Sequence, residues 1–149
     1  MKAVLKRVKN ASVSVDDKVA GKCEQGWFIL LGVCHDDTEK DAAYLVKKIA
    51  SLRAFSDESG KINLDIKSIN GSILVVSQFT LYADLSRGNR PGFTYAAKPE
   101  HANTLYEFFV KSLREEKIPT ETGIFGANMQ IQTLCDGPIT LLLESPKSS

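Results

Sequence analysis

Near its middle the chain reads Ile73-Leu74-Val75-Val76-Ser77-Gln78-Phe79-Thr80-Leu81-Tyr82-Ala83-Asp84. An apolar run of the kind that is buried in a strand ends in a cluster of two hydroxyls and one amide, at Ser77, Gln78 and Thr80. If the strand continued, its alternation would point Ser77 and Phe79 to one side and Gln78 and Thr80 to the other. The cluster is either a site built on a rigid element or a strand that enters a polar turn. The pattern alone leaves both interpretations open.

The composition indicates an ordinary globular domain. The 149 residues are 43% hydrophobic and 25% charged, which is enough apolar material for a core. A net charge of +1 provides no overall basic field, so any contact with nucleic acid has to be local. The N-terminus is charged and lacks an apolar leader, and no segment is long enough to span a membrane. We therefore expect one cytoplasmic domain that comprises residues 1–149.

The cysteines and histidines do not form a recognisable cluster. The three cysteines, Cys23, Cys34 and Cys135, are odd in number and lack CxxC spacing, so we expect neither a disulfide nor a zinc site. His35 is expected at the surface or in a cap, and His101 in the first, solvated turn of a helix. No Walker or Rossmann loop and no aromatic ladder for single-stranded bases is present in the sequence. The sequence therefore implies neither a metal nor a cofactor.

The first third of the chain predicts strands followed by a helix. Residues 2–15 and 19–22 are predicted to form two arms of a hairpin, and residues 27–33 a strand that is buried on both faces. Thr38, with Asp41 three residues later, resembles a capping box. Apolar residues then recur at helical spacing as far as Leu52, which predicts the first long helix.

The remainder of the chain predicts short strands around a second helix. A strand at residues 62–66 is followed by Asn70-Gly71, a strong signal for a hairpin turn into the strand that ends near Thr80. Pro99 is placed to begin a helix that runs to about Lys117. Three short strands follow at residues 120–125, 129–134 and 139–144, and then a frayed tail at residues 145–149. The fold class is therefore α+β, a single domain with a mainly antiparallel, barrel-like sheet and two long helices.

Two further segments have more than one interpretation. Residues 85–92 form a glycine-rich loop with two arginines, Arg87 and Arg90, which suits either a mobile surface loop or a contact with phosphate. Gly137-Pro138 is either a plain turn or a cis peptide bond, since the cis form of an X–Pro bond costs only about 0.5–1 kcal/mol. Because glycine has no side chain, such a dipeptide can present its backbone carbonyls without steric cover.

Taken together, these segments resemble the D-aminoacyl-tRNA deacylase (D-Tyr-tRNA deacylase) family in its widespread bacterial and eukaryotic form. Two signature stretches carry most of the resemblance, Ser77-Gln78-Phe79-Thr80 and Gly137-Pro138-Ile139-Thr140. Weaker matches are spread over nearly the whole chain, at Met1-Lys2-Ala3-Val4, Arg7-Val8, Arg90-Pro91, Glu121-Thr122-Gly123, Phe125-Gly126-Ala127 and Met129-Gln130. Either signature alone is weak, but both occur in order in a chain of this length.

The resemblance implies a homodimer in which each site is shared by two subunits. Gly137 and Pro138 of the partner subunit, joined by a cis bond, would complete the site at Ser77–Thr80. Their carbonyls would meet the α-amino group of the substrate and crowd the position of an L side chain, so that D residues and glycine fit. Ser77, Gln78, Phe125 and Met129 would line a pocket for the terminal adenosine of tRNA, and Arg7 would brace the Gly-Pro segment.

The implied chemistry is hydrolysis of the ester between an amino acid and the terminal ribose. Such an ester is reactive, so the enzyme has to position it and stabilise the oxyanion, with the backbone N–H groups of Phe79 and Thr80 as donors. The Thr80 side chain would have a positioning role. Its use as a nucleophile is a minority hypothesis, since no base is visible in the sequence. The family pattern instead has the 2′-hydroxyl of the tRNA assist attack by water.

Two other functions remain open, together with one departure from the family pattern. A paralogous deacylase with a trans Gly-Pro acts on L-alanine mischarged onto tRNA, but that branch looks altered at Ser77–Thr80. A non-catalytic tRNA- or DNA-binding module would retain aminoacyl-tRNA without turnover. The departure is Cys135, which stands where this family usually has Asn two residues before Gly137, and a thiol is a weak hydrogen-bond donor.

Overall fold

The computed structural model describes residues 1–147 of the chain. Its elements are β1 (Lys2–Val15), β2 (Lys18–Cys23), β3 (Gly26–Gly32), α1 (Glu39–Ser51), β4 (Phe55–Ser56), β5 (Ile62–Leu64), β6 (Ser72–Ser77), a 3-10 helix (Phe79–Tyr82), α2 (Pro99–Glu115), β7 (Thr120–Thr122) and β8 (Gln130–Glu144). The α+β class and the two long helices are confirmed. β4 and β5 form a small separate hairpin, and the other strands form one sheet.

The main sheet is mixed, so the prediction of a mainly antiparallel sheet is not confirmed. Its strands follow the order β2-β1-β3-β6-β7, and β8 pairs with β1 outside this path. The pairs that involve β1 are antiparallel, whereas β3–β6 and β6–β7 are parallel. β3–β6 and β6–β7 are parallel because a helix lies in the segment that connects the two strands of each pair. α1 carries the chain from β3 to β6, and α2 carries it from β6 to β7, and such crossovers return the chain to the same end of the sheet.

The sheet curls into a nearly closed barrel, as predicted. β2 approaches β7 so closely that a Cβ at Gly21 would lie 2.2 Å from the carbonyl oxygen of Thr122. Only a residue without a side chain permits this approach of two backbones. The two ends of the strand order β2-β1-β3-β6-β7 therefore meet.

Two hydrophobic cores lie on opposite faces of the sheet. The core inside the barrel includes Val8, Val13, Phe28, Leu74 and Val76. The larger core lies between the sheet and the two helices, and includes Leu5, Trp27, Ile29, Ile73 and Val75. Consecutive residues of β3 and β6 thus face different cores, which explains why both strands are continuously apolar rather than alternating.

The helices begin where the sequence predicted. The hydroxyl of Thr38 accepts a hydrogen bond at the start of α1, and the carboxylate of Asp41 accepts one from the backbone N–H of Thr38, so the capping box is present. Pro99 occupies the first turn of α2. α2 is tied to the sheet by the hydroxyl of Tyr106, which donates to the carbonyl of Val75 at 2.8 Å.

The predicted hairpin at Asn70-Gly71 is wrong. Asn70 does have a positive φ, of 54°, but the N–H of Gly71 closes a turn on the carbonyl of Ile66 at 2.9 Å. β5 pairs with β4, whereas β6 enters the main sheet between β3 and β7. The local turn signal was therefore correct, but the partner of the next strand is set by the crossover.

The end of the chain also differs from the prediction. Instead of two strands separated by a corner at Gly137-Pro138, β8 is a single strand of 15 residues. Its pairing with β1 shifts register between Lys6 and Asn10, and these irregularities accommodate the dipeptide within the strand.

The segment after β8 is held in place by hydrogen bonds, so the prediction of a frayed tail is wrong for residues 145–147. The α-ammonium of Met1 donates to Asp37 and to the hydroxyl of Ser145, both at 2.8 Å. The ammonium of Lys147 donates hydrogen bonds to the carboxylates of Asp36 and Asp37, also at 2.8 Å. The last two residues of the predicted tail lie outside the described residues. No helix within residues 1–147 is long and apolar enough to cross a membrane.

Candidate active site

The polar cluster lies where β6 ends, and its backbone changes direction there. β6 stops at Ser77, and the N–H of Gln78 still donates to the carbonyl of Leu31 on the neighbouring strand at 2.8 Å. Phe79 then begins the 3-10 helix. The expected alternation of side chains through Thr80 is therefore wrong, because the strand does not extend that far.

The turn leaves two backbone donors free. Among the hydrogen bonds of the described residues, none is donated by the N–H of Phe79 or of Thr80, whereas the N–H of Leu81 donates to Gln78. Free donors are expected in the first turn of any helix. These two adjacent N–H groups belong to exposed residues and are held by a strand that is hydrogen-bonded on both sides.

A cavity of about 580 Å³ opens beside this turn. Its lining includes five of the predicted site residues, namely Ser77, Gln78, Phe79, Phe125 and Met129. Other parts of its wall come from Val33, Val76, Phe93, Ala96, Ala97, Pro99, Ala102, Gly126, Ala127, Asn128 and Ile131. None of these lining residues carries a titratable side chain, so the cavity is neutral with a few polar groups.

The far wall of the cavity is fixed by packing. The sulfur of Met129 would lie 2.6 Å from a Cβ at Gly123, so glycine is needed there for the methionine to take this position. The ring of Phe125 lies 6.0 Å from that of Tyr106, whose hydroxyl is bound to β6. Burial raises the pKa of Tyr106 to about 12, so this hydroxyl keeps its proton and remains a donor. The wall is thereby joined to the strand that carries Ser77.

Thr80 lies next to the cavity but outside its lining. Its hydroxyl oxygen accepts a hydrogen bond from the side-chain amide of Gln78. No residue that lines the cavity, in the part of the chain that the structure describes, can act as a base toward this hydroxyl. The arrangement orients the Thr80 side chain without activating it.

Gly137 and Pro138 do not contribute to this cavity. Their peptide bond is cis, the isomer that the resemblance implies, and both residues are exposed on β8. β8 pairs with β1, so within one chain β1 and β3 stand between the dipeptide and β6. The two signature stretches are therefore not brought together within this subunit.

Arg7 supports the segment that contains the dipeptide. Its side chain is almost fully buried, and it donates to the carbonyls of Asp136, at 3.0 Å, and Ala54, at 2.9 Å. The Asp136 carboxylate lies 3.7 Å from the same guanidinium. A Cβ at Gly137, which has a φ of 125°, would lie 3.1 Å from Nη2 of Arg7. The backbone before Pro138 thus rests directly on a buried cation.

Cys135 takes no part in this support. Its sulfur is exposed and lies 3.6 Å from the hydroxyl of Thr133. The thiol thus contacts its own strand at the position where the family usually has Asn, and the bracing of the Gly-Pro segment comes from Arg7.

The residues around His35 form a separate cluster. Cys34, His35 and Asp36 place their ligand atoms within 4.8 Å of one another. Lys147 already bonds Asp36, and hydrogen bonds from Lys147 and then Cys34 lower the pKa of Asp36 to about 2. The ammonium of Lys147 thus pairs with the carboxylate of this cluster. His101 is not simply solvated, because its Nε2 lies 2.8 Å from the carbonyl oxygen of Asp37.

Phe93 also lines the cavity, and the sequence did not predict it as a site residue. The ring of Phe93 contacts that of Phe79 edge to face, with centroids 5.0 Å apart, and both line the cavity. The two are 14 residues apart in sequence, so no local pattern pairs them. The only signal was an aromatic residue directly after the arginine-containing loop.

Comparisons with known proteins match nearly the whole chain to one family. Residues 4–144 match the model of the family described as D-Tyr-tRNA(Tyr) deacylase. A D-aminoacyl-tRNA deacylase from Thermus aquaticus is 51% identical over 145 residues, which cover 97% of this chain and 95% of that protein.

Solved structures share the whole fold. One described as c-Myc DNA Unwinding Element Binding Protein is 40% identical with a TM-score of 0.92, covering 99% of this chain and 100% of the other. One described as a structural analysis of a probable eukaryotic D-amino acid tRNA deacylase has a TM-score of 0.84 at 15% identity, covering 96% and 98%. At that identity the likeness concerns the fold alone.

Proposed function

The chain belongs to the D-Tyr-tRNA(Tyr) deacylase family and is a D-aminoacyl-tRNA deacylase, and we propose that it acts as a homodimer in which each active site is built by two subunits. Its reaction is hydrolysis of the ester that joins an amino acid to the 3′-terminal ribose of tRNA. In this role it performs chiral proofreading in translation, and we expect it in the cytoplasm with its substrate.

The terminal adenosine binds in the cavity beside β6. A volume of about 580 Å³ is within the range of small-molecule sites, and the mixture of apolar and neutral polar walls suits a nucleoside. Phe125 and Met129 provide the apolar surface for the base. Ser77 and Gln78 provide hydrogen-bonding groups on the opposite wall.

The free N–H groups of Phe79 and Thr80 bind the oxyanion. That they have no acceptor within the described residues is the main observation in support of this mechanism. The two groups are adjacent and rigidly held, and they lie at the edge of a neutral cavity. In enzymes that use such donors, removing one lowers the rate by about 10²–10³-fold. Water attacks the ester carbonyl with assistance from the 2′-hydroxyl of the terminal ribose. Thr80 positions the substrate, since no lining residue within the described chain is a base.

Selection against L residues comes from Gly137 and Pro138 of the partner subunit. In one chain this dipeptide is exposed and lies outside the cavity, so a second chain has to bring it to the site. β8 also exposes large apolar side chains, at Ile131 (38%), Leu134 (53%) and Leu142 (79%), as expected of a strand that is covered in an assembly.

The partner's backbone carbonyls accept hydrogen bonds from the α-amino group of the substrate. With the amino group, the ester and the ribose fixed, the two enantiomers differ in where the side chain points. An L side chain meets the partner's backbone, whereas a D side chain points away and glycine has none. The enzyme therefore accepts D residues of many kinds, and glycyl-tRNA as well.

The test is hydrolysis of D-Tyr-tRNA, L-Tyr-tRNA, Gly-tRNA and L-Ala-tRNA, measured side by side as kcat/KM. We expect rapid release from the D and glycyl substrates and release from the L substrates at the rate without enzyme. Equal cleavage of L-Tyr-tRNA and D-Tyr-tRNA would contradict the backbone filter. Cleavage of L-Ala-tRNA but not of D-Tyr-tRNA would indicate the paralogous activity instead, and retention of all four without turnover would indicate a binding module.

A further inference from the structure

Two exposed phenylalanines line the cavity beside β6. Phe79 is 55% exposed and Phe93 is 40% exposed, and their rings contact each other edge to face. We call them the rim pair. Exposed apolar patches beside a cavity mark interaction surfaces, and these two rings form such a patch in the single chain. The proposed function uses the backbone N–H of Phe79, but it gives no role to the ring of Phe79 or of Phe93.

The rim pair is attached to two rigid points. Phe79 begins the 3-10 helix that follows β6. Phe93 directly follows Gly92, whose N–H and carbonyl exchange hydrogen bonds with Asp84 at 3.0 and 2.7 Å. These two bonds close the loop of residues 85–91 at its base. The backbone position of Phe93 is therefore set by this bridge, and its ring rests against that of Phe79.

The closed loop carries positive charge. Arg87 and Arg90 are the only charged residues among residues 85–92, and both are exposed. The nearest carboxylate at the base of the loop, Asp84, accepts hydrogen bonds from the backbone and hydroxyl of Ser86. Aromatic faces combined with nearby arginines are the combination with which proteins hold single-stranded nucleic acid.

We propose that the rim pair stacks the base of the nucleotide that precedes the terminal adenosine of tRNA, and that the loop of residues 85–91 holds the phosphates there. The inference rests on the proposed function, since it takes the terminal adenosine to fill the cavity. The 3′ end of tRNA is single-stranded, so its next base leaves the cavity with its face unpaired. Stacking reads the shape of a base rather than its hydrogen-bonding edge, so this subsite tolerates any base.

The test compares two small substrates that differ by one nucleotide, the D-tyrosyl ester of adenosine and the D-tyrosyl ester of the dinucleotide CpA. We expect wild-type enzyme to prefer the dinucleotide by about tenfold in kcat/KM, the usual order of one stacked base. Phe93→Leu keeps an apolar side chain but removes the ring, and is expected to abolish the preference. Phe93→Tyr is expected to retain it.

Tyr44→Leu is the matched control, because Tyr44 is also an aromatic residue of similar exposure, 41%, but lies on α1. It is expected to keep the preference of the wild type. The UpA ester is expected to behave as the CpA ester does, within about threefold, because stacking is sequence-tolerant. A preference confined to cytidine would contradict stacking.

The outcomes separate this inference from the proposed function. If wild-type enzyme cleaves neither ester nor D-Tyr-tRNA, the proposed function fails. If wild-type enzyme cleaves both esters equally, or Phe93→Leu keeps the tenfold preference, only the rim pair is refuted.

Discussion

The two signature segments of this chain are built in opposite ways. The segment Ser77–Thr80 ends a central strand that is paired on both sides and buried between two cores, and it forms one wall of a cavity in its own subunit. Within the described residues, the dipeptide Gly137-Pro138 lies on a strand that pairs only with β1, is exposed, and does not line that cavity. A single guanidinium, that of Arg7, supports the backbone in front of it.

The difference shows where each half of the site obtains its rigidity. The Ser77–Thr80 segment is positioned by the fold of one chain, so its donors are formed before substrate arrives. The dipeptide is positioned by Arg7 and, in the proposed dimer, by the surface that it meets. Changes at the dipeptide or its support should therefore strongly affect cleavage of the D substrate and the discrimination between enantiomers, whereas changes at side chains of the Ser77–Thr80 segment should affect rate only modestly.

The largest effect is expected from Gly137→Ala. Gly137 has a φ of 125°, and an added Cβ would lie 3.0 Å from the N of Ile139 and 3.1 Å from Nη2 of Arg7. The backbone carbonyl therefore has to shift to make room. A displacement of about 1 Å in a positioning group lowers the rate of an enzyme on the order of 100-fold. We expect a loss of that size in kcat/KM for D-Tyr-tRNA. Gly60→Ala is the control, because Gly60 also has a positive φ but nothing within 4 Å of its Cβ position. Full activity of the Gly137 variant would contradict the role of the dipeptide.

Arg7→Ala should have the next largest effect. It removes a buried cation and two hydrogen bonds to carbonyls, each worth about 1.5–3 kcal/mol when the donor is charged. We expect a fall of about 30-fold in the ratio of kcat/KM for D-Tyr-tRNA over L-Tyr-tRNA, since the dipeptide loses its support. The exposed Arg53, which donates to the carbonyl of Asn63, provides the control variant Arg53→Ala. An unchanged ratio with lower thermal stability would show that Arg7 is only structural.

The double variant Leu134→Glu/Leu142→Glu tests the surface that we propose a second chain covers. Two buried charges would oppose association, so we expect the particle mass measured by light scattering to fall to that of one chain. Activity at low enzyme concentration should fall at least about tenfold, because each site loses half of its groups. Val19→Glu, on β2, changes a residue of similar exposure (63%) and should leave the mass unchanged. A double variant that remains a dimer would place the interface elsewhere.

Thr80→Ala should have the smallest effect. The hydroxyl accepts from Gln78 and has no base beside it, while the backbone N–H that we assign to the oxyanion is kept. We expect kcat to fall by no more than about threefold, in line with the loss of one neutral hydrogen bond. Near-complete loss of turnover with tRNA binding intact would revive the nucleophile hypothesis.

Much of the local structure could be predicted from the sequence. The capping box at Thr38 and the proline at the start of α2 depend on contacts within a few residues, and both are present. The continuous apolar residues of β3 correctly indicated burial on both faces.

The strand directions and the end of β6 could not be predicted in the same way. A turn at Asn70-Gly71 is compatible with either strand direction, and only the crossover through α1 makes β3 and β6 parallel. For the site, the resemblance named four of the residues that line the cavity, Ser77, Gln78, Phe125 and Met129, and most of the other wall residues were not predicted. The contact between Phe79 and Phe93 depends on the bridge between Asp84 and Gly92, which joins residues that no periodicity relates.

Mixing two defective variants tests most directly whether each site takes its halves from different chains. Phe79→Pro removes the N–H of Phe79 at the first position of the 3-10 helix, where proline is tolerated, and Gly137→Ala damages the dipeptide. Each variant alone should be nearly inactive on D-Tyr-tRNA. After subunit exchange, about a quarter of wild-type activity should return, because about half of the dimers are mixed and each mixed dimer has one intact site. If exchange is verified by mass and the mixture is no more active than its components, both halves belong to one chain and the account is wrong.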